Sequence, residues 1–135
     1  MSLKWDDQLS VGNSTIDTDH KELILLAQDI SDVIKMRQLD LLGKLFASLE
    51  VLMQRHFLNE EKLAIAVTYE FSEHKRSHLS LLSEIKYLHI ELFSKNEWSF
   101  IRAMHYCMFL ENWLIDHIII EDMKMKPALL TLPPQ

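Results

Sequence analysis

Residues 41–60 read LLGKLFASLEVLMQRHFLNE and decide the fold of this chain. Four leucines recur there at steps of three and four residues: Leu42, Leu45, Leu49 and Leu52. That period places them on one face of an amphipathic helix. The stripe continues into His56 and Glu60, so two polar, titratable side chains follow directly on an apolar face. Burying such groups is unfavourable unless a partner satisfies them. The stretch therefore predicts a helix that carries part of a buried polar site.

Three other amphipathic stretches carry similar groups. They contribute His20, His74 with His78, and His117 with Asp122. Residues four apart lie about one turn apart on the same helix face, so His56 with Glu60, and His74 with His78, can each reach one metal site. Five imidazoles and two carboxylates are too many ligands for one tetrahedral zinc ion, but they suit a dinuclear centre with open positions. The pattern predicts four helices around one shared metal site.

The spacing between His117 and Asp122 does not fit a regular α-helix. Five residues turn such a helix by about 140°, so the two side chains diverge unless the backbone bulges locally. Glu121, four residues after His117, is better aligned by geometry alone. Spacing therefore leaves both Glu121 and Asp122 open as the second carboxylate.

Composition limits the class of protein. The 135 residues suit a single domain, 1–135, and two glycines with three prolines favour few, long elements. A net charge of −6 argues against nucleic acid and anionic membrane as partners. The sequence shows no signal peptide and no apolar segment of spanning length. Cys107 is a lone cysteine, which fits a reducing compartment, so we expect a cytoplasmic protein.

The pattern along the chain predicts an all-α fold, an antiparallel up-down four-helix bundle with an irregular N-terminal arm over 1–16. The first helix is expected to open near residues 17–19, where acidic side chains can cap it, and to run to about residue 36. A break at 37–39 leads to the second helix, and the third follows Ser72. A turn is expected at 94–97. The fourth helix should end before Pro127, which leaves 127–135 as a tail or linker.

These motifs resemble those of the hemerythrins, in particular the single-domain bacterial ones, over roughly residues 5–125. The resemblance rests on Trp5 and four motifs: Ile16-Asp17-x-x-His20, His56-Phe57-x-x-Glu60-Glu61, His74-x-x-x-His78 and Trp113-Leu114-x-x-His117-Ile118-x-x-x-Asp122. The sequence departs from the family pattern at two places: Ala64 stands where a methionine is common, and Tyr69-Glu70 stands where a Tyr-Pro pair is common. The loop before His74 is also one residue shorter than the family's.

The resemblance implies two iron ions joined by an oxo or hydroxo group. His74, His78 and His117 would hold one iron, His20 and His56 the other, and Glu60 and Asp122 would bridge them. It thereby favours Asp122 over Glu121. It also implies reversible dioxygen binding at the iron with two histidines, in a pocket lined by Leu114 and Phe57. His89 and His105 are not expected to be ligands.

Three roles are compatible with such a site. The first is an oxygen carrier or store, which is not an enzyme. The alternative is an oxygen or redox sensor domain of a longer signalling protein. A diiron oxidase or peroxidase ranks below both, because those sites are rich in carboxylates and use Glu-x-x-His pairs, which are absent here. The partners implied are dioxygen and either a downstream output domain or an oxygen-consuming enzyme.

Overall fold

Four long helices form the body of the protein in a computed structural model that describes residues 3–93 and 99–133. They are α1 (Ser14–Lys35), α2 (Leu39–Ala66), α3 (Ser72–Phe93) and α4 (Phe100–Ile115). A π-helical turn at Asp116–Glu121, a 3-10 turn at Asp122–Met125 and the short helix α5 (Lys126–Leu129) continue α4. A 3-10 turn at Asp7–Leu9 precedes α1, and the described residues contain no strand. The predicted all-α four-helix bundle is confirmed.

The helices follow one another around the bundle. α1 packs on α2 and α4, α2 packs on α3, and α3 packs on α4. Arg37 and Thr68 adopt left-handed conformations, with φ of 55° and 57°, two residues after the helices that end at Lys35 and Ala66. A left-handed residue commonly ends an α-helix. Because the connections are short and consecutive helices pack on each other, α1 runs antiparallel to α2, and α2 to α3. The predicted break at 37–39 and the start of the third helix are confirmed, whereas the predicted turn at 94–97 lies outside the described residues.

The start of α1 differs from the prediction. The helix begins at Ser14, not at residues 17–19, because the side chain of Asn13 caps it by accepting from the backbone N–H groups of Thr15 and Ile16. Asp17 instead ties the preceding segment to the helix, since its carboxylate accepts from the backbone N–H of Val11 at 2.9 Å. The irregular arm is therefore shorter than predicted.

Apolar side chains pack in two layers along the bundle axis. The larger layer surrounds the part of α1 that comes after His20 in the chain. It includes the fully buried Leu23, Ile30, Phe46, Leu49, Met53 and Leu110. The smaller layer consists of Val11, Ile16, Ala64, Met125 and Leu129, with Tyr69 packed against it. Ile16 lies one turn before His20, and Ala64 lies one turn after Glu60. The polar side chains predicted to form the site therefore lie between the two layers.

The segment after Pro127 is not a free tail at its start, which corrects the prediction for 127–135. Proline is tolerated in the first turn of a helix because the N–H that it lacks has no partner there. Pro127 occupies such a position in α5. Leu129 at the end of α5 is 2% exposed within the smaller apolar layer, whereas the next residue, Leu130, is 60% exposed.

One further finding concerns membranes. No helix within residues 3–93 and 99–133 is both long and apolar enough to cross a bilayer.

The packing of α5 can be tested with two adjacent leucines. Leu129→Ala should lower the free energy of unfolding by about 2–4 kcal/mol, because it empties a filled position in the smaller apolar layer. Leu130→Ala is the matched control and should change it by less than about 1 kcal/mol. Urea denaturation monitored by circular dichroism measures both. Equal effects of the two substitutions would contradict a structural role for α5.

Candidate metal centre

Seven polar side chains from α1, α2, α3 and the two turns after α4 converge between the two apolar layers. They are His20, His56, Glu60, His74, His78, His117 and Asp122, and each is at most 7% exposed. Their nitrogen and oxygen atoms form two groups, and within each group all atoms lie within 4.8 Å of one another. One group contains His20 and His56, and the other contains His74 and His78. Glu60, His117 and Asp122 belong to both, so the structure brings together all seven residues that the sequence predicted.

The π-helical turn resolves the spacing problem of His117 and Asp122. A π-helix closes its hydrogen bonds over five residues, so residues five apart return to the same face. His117 lies in this turn and Asp122 directly follows it, and His117 Nε2 lies 2.7 Å from Asp122 Oδ2. The local bulge that this spacing requires is therefore present. Glu121 lies outside both groups, and its Oε2 is 3.5 Å from the other ring nitrogen of His117.

Glu60 presents its two oxygens to different histidines. Oε1 contacts His56 Nε2 and lies 3.0 Å from His117 Nε2. Oε2 lies 2.9 Å from His74 Nε2 and 3.2 Å from His78 Nε2. A carboxylate that divides its oxygens in this way has the geometry needed to bridge two cations.

The two oxygens of Asp122 also face histidines of different groups. Oδ2 lies 2.6 Å from His20 Nε2, whereas Oδ1 lies 2.9 Å from His74 Nε2. His117 occupies the position between the two sides, since its Nε2 is also 3.0 Å from His56 Nε2. Two carboxylates thus lie along the boundary between two sets of imidazoles.

Unsatisfied buried atoms show that this donor set fits a metal centre. His74 Nε2, His78 Nε2, Glu60 Oε2 and Asp122 Oδ1 are all buried. Although neighbouring pairs among them lie 2.9–3.2 Å apart, these contacts do not have hydrogen-bond geometry, and the atoms make no other hydrogen bond within the described part of the chain. Buried polar atoms are rarely left in this state, because the loss of hydration costs free energy. Cations placed between these atoms would satisfy them, and imidazole with carboxylate is a donor set that iron accepts.

Charge coupling within the cluster moves the histidine pKa values in opposite directions. Burial alone would lower the pKa of His56, but the charge of Glu60 and hydrogen bonds with neighbouring carboxylates raise it to about 10. Burial would also lower the pKa of His74, but the carboxylates of Asp122 and Glu60 outweigh it and raise the pKa to about 9. At His78 burial prevails and lowers the pKa. A metal ion that binds here therefore has to displace protons from His56 and His74.

The carboxylates respond to the same coupling. Burial would raise the pKa of Glu60 and of Asp122, but the positive charge of the nearby His117 outweighs it and holds both pKa values below their ordinary range. Both groups are therefore ionised and available as anionic ligands.

Aromatic rings fix the planes of three of the histidines. Phe57 stacks on His78 with ring centres 3.7 Å apart and planes 9° apart. Two more stacks follow the same pattern: Phe71 on His74 at 4.8 Å and 15°, and Trp113 on His117 at 4.7 Å and 16°. Sequence reasoning did not find Phe71 in this role, because a single aromatic residue before a helix gives no signal that it packs against a ligand.

A buried carboxylate supports a fourth histidine. Asp19 is 3% exposed, and its Oδ2 lies 3.1 Å from His56 Nδ1 and 2.9 Å from Asn59 Nδ2. Burial raises the pKa of Asp19, but the hydrogen bonds from His56 and Asn59 outweigh it and lower the pKa. From the sequence, Asp19 was a candidate cap for α1, and nothing in the sequence distinguishes that role from this one.

The remaining predicted residues lie in different surroundings. Leu114 is fully buried in the larger apolar layer, two residues before the π-helical turn. His89 lies outside the cluster and pairs with Glu50 at 3.3 Å. His105 is exposed and lines a groove between α3 and α4. Neither histidine joins the cluster, as predicted.

Comparison with known proteins is consistent with this geometry. A family model described as the hemerythrin HHE cation binding domain matches residues 11–129. A bacteriohemerythrin from Clostridium acetobutylicum is 23% identical over 123 residues, which cover 87% of this chain and 94% of that protein. The match to the family model extends over most of the chain and includes all seven converging residues, and the chain belongs to the hemerythrin family.

Proposed function

We propose that this chain binds dioxygen reversibly at a non-heme diiron centre and serves as an oxygen carrier or store. The observation that carries the proposal is the division of carboxylate oxygens between two sets of histidines. In this proposal Glu60 and Asp122 are the carboxylates that would hold both irons, together with an oxo or hydroxo group. The name of the Clostridium relative, bacteriohemerythrin, supports the same reading.

The histidines divide unequally between the two irons. His74, His78 and His117 would hold one iron, and His20 and His56 the other. Fewer protein ligands on the second iron leave room there for an exogenous molecule, as at metal sites that act on small ligands. When bound, the irons would supply the electrons that dioxygen accepts and later returns.

The chain itself keeps the site dry. Leu114 is fully buried and Phe57 is 7% exposed, and both belong to the larger apolar layer beside the cluster. In the proposal they line the oxygen pocket. Apolar walls exclude water and so limit the protons that would make oxidation of the centre irreversible. The low polarity also disfavours the release of oxygen in a charged form.

The donor set favours a carrier over an enzyme. Diiron enzymes of the ferritin-like bundles use sites rich in carboxylates, with a glutamate three residues before a histidine. The cluster here contains five imidazoles and two carboxylates, and no histidine in the chain has that neighbour. Neutral imidazoles would stabilise oxidised irons less than carboxylates would, which favours reversible binding over net oxidation.

The direct test is a spectroscopic cycle. The iron-loaded protein is reduced without oxygen, exposed to air and then stripped of oxygen, while its visible spectrum is recorded. We expect a charge-transfer band that appears with oxygen and disappears when the oxygen is removed. A band that persists after stripping would instead indicate a redox sensor or an oxidase, and a protein without iron would refute the centre altogether.

The ligand set predicts the iron content of variants. The unmodified protein should bind two irons per chain, and His78→Ala or His117→Ala should retain at most one, because each removes an imidazole that faces the carboxylates. His105→Ala is the matched control, since His105 is exposed and lies outside the cluster. Elemental analysis after gel filtration measures the content. Loss of iron from the control as well would contradict a specific role for the clustered histidines.

The pocket wall predicts the rate of autoxidation. Leu114→Ala should oxidise irreversibly about ten times faster, equivalent to a barrier lower by about 1.4 kcal/mol, because water gains access to the centre. Leu110→Ala is the control: Leu110 is also fully buried on α4, one turn further from His117. Both substitutions should cost about 2–5 kcal/mol of stability. Equal autoxidation rates in the two variants would show that Leu114 does not line the oxygen pocket.

A further inference from the structure

Asp19 has an environment that the proposed centre does not by itself explain. It lies next to His20 in α1, is almost fully buried and belongs to neither group of converging ligand atoms. Its oxygens face α2 instead, where His56, Asn59 and Arg55 approach them. Burying a carboxylate lowers the stability of the fold unless hydrogen-bond donors compensate it. The burial of Asp19 therefore indicates a role in the protein.

The contact with His56 fixes the state of that ring. Asp19 is an acceptor only, so the Nδ1 of His56 must carry the proton and donate it across the 3.1 Å contact. The ring nitrogen left for a metal is then Nε2, which is the atom that faces Glu60 and the rest of the cluster. Asn59 donates to the same Asp19 oxygen at 2.9 Å and holds the carboxylate in place.

Two other histidines of the cluster, His20 and His117, lack an equivalent partner at Nδ1. His20 Nδ1 is buried and makes no hydrogen bond within the described residues. His117 Nδ1 lies 3.5 Å from Oε2 of Glu121; the Glu121 side chain is 31% exposed, and this oxygen makes no hydrogen bond within the described residues. Of these three Nδ1 atoms, that of His56 is the one with a buried carboxylate at hydrogen-bond distance.

We propose that Asp19 is a positioning residue that orients His56 and, through its negative charge, makes Nε2 of His56 a stronger metal ligand. This inference rests on the proposed function, in which His56 is one of two histidines on the iron that receives dioxygen. A carboxylate behind a ligating imidazole raises the basicity of that imidazole and favours the more highly charged metal. Asp19 thus lowers the reduction potential of the centre and strengthens dioxygen binding.

Two substitutions separate orientation from charge. Asp19→Asn keeps the size and one acceptor oxygen but removes the charge, whereas Asp19→Ala removes both. Glu22→Gln is the matched control, because Glu22 pairs with Arg55 at 2.6 Å on the exposed side of the same network and does not touch His56. All three variants are compared with the unmodified chain.

The first readout does not depend on oxygen. Zn²⁺-loaded protein is diamagnetic, so the hydrogen-bonded Nδ1 proton of His56 can be followed by NMR, and Zn²⁺ affinity can be measured against a chelator. We expect Asp19→Asn to weaken Zn²⁺ binding about tenfold and to move the Nδ1 proton signal upfield. Asp19→Ala should weaken binding about 10- to 100-fold and abolish the signal, while Glu22→Gln should change neither.

The second readout is the reduction potential of the iron-loaded protein, which should rise in Asp19→Asn. Unchanged Zn²⁺ affinity and an unchanged Nδ1 signal in Asp19→Ala would overturn the proposal. An unchanged potential in Asp19→Asn, together with weaker binding in Asp19→Ala, would overturn the role of the charge. Either result would leave the proposed function intact if the unmodified chain binds iron and oxygen reversibly. If the unmodified chain binds neither, the proposed function itself is wrong.

Discussion

The burial of two ionised carboxylates among five imidazoles is the constraint on which this bundle depends. Glu60 and Asp122 are almost inaccessible to solvent, and both are held ionised by the histidines around them. Such a cluster is unfavourable in an apolar core unless every member has a partner. The partners come from α1, α2, α3 and the turns that continue α4, so the helices can satisfy the cluster only in one relative register.

That register explains the irregular end of the fourth helix. A regular α-helix would turn Asp122 about 140° away from His117, and the bundle could not place both at the boundary between the histidine sets. The π-helical turn at Asp116–Glu121 removes this mismatch at the cost of weaker backbone geometry. The smaller apolar layer beyond it, which includes Met125 and Leu129, holds the altered backbone in place. The packing of α5 thus contributes to the geometry of the site.

The extent to which the sequence predicted this structure follows from the range of each interaction. Pairs four residues apart, such as His56 with Glu60, are fixed by helix geometry, and their convergence could be predicted. Spacing alone could not choose Asp122 over Glu121, because the choice depends on a π-helical turn that tertiary packing stabilises. Asp19 was equally ambiguous, since a short acidic side chain near a helix start can cap the helix or support a histidine on another helix. Those assignments needed the three-dimensional contacts.

The two sides of the cluster are supported in different ways, and the difference follows the proposed division of the irons. His74, His78 and His117 are each covered by a stacked aromatic ring, which fixes the ring planes without adding charge. His56 on the other side is held by a buried carboxylate, which adds charge as well as orientation. An iron whose ligands do not change would mainly need rigid histidines. An iron that gains and loses dioxygen would also need ligands that set its electron density, and Asp19 lies on the side of that iron.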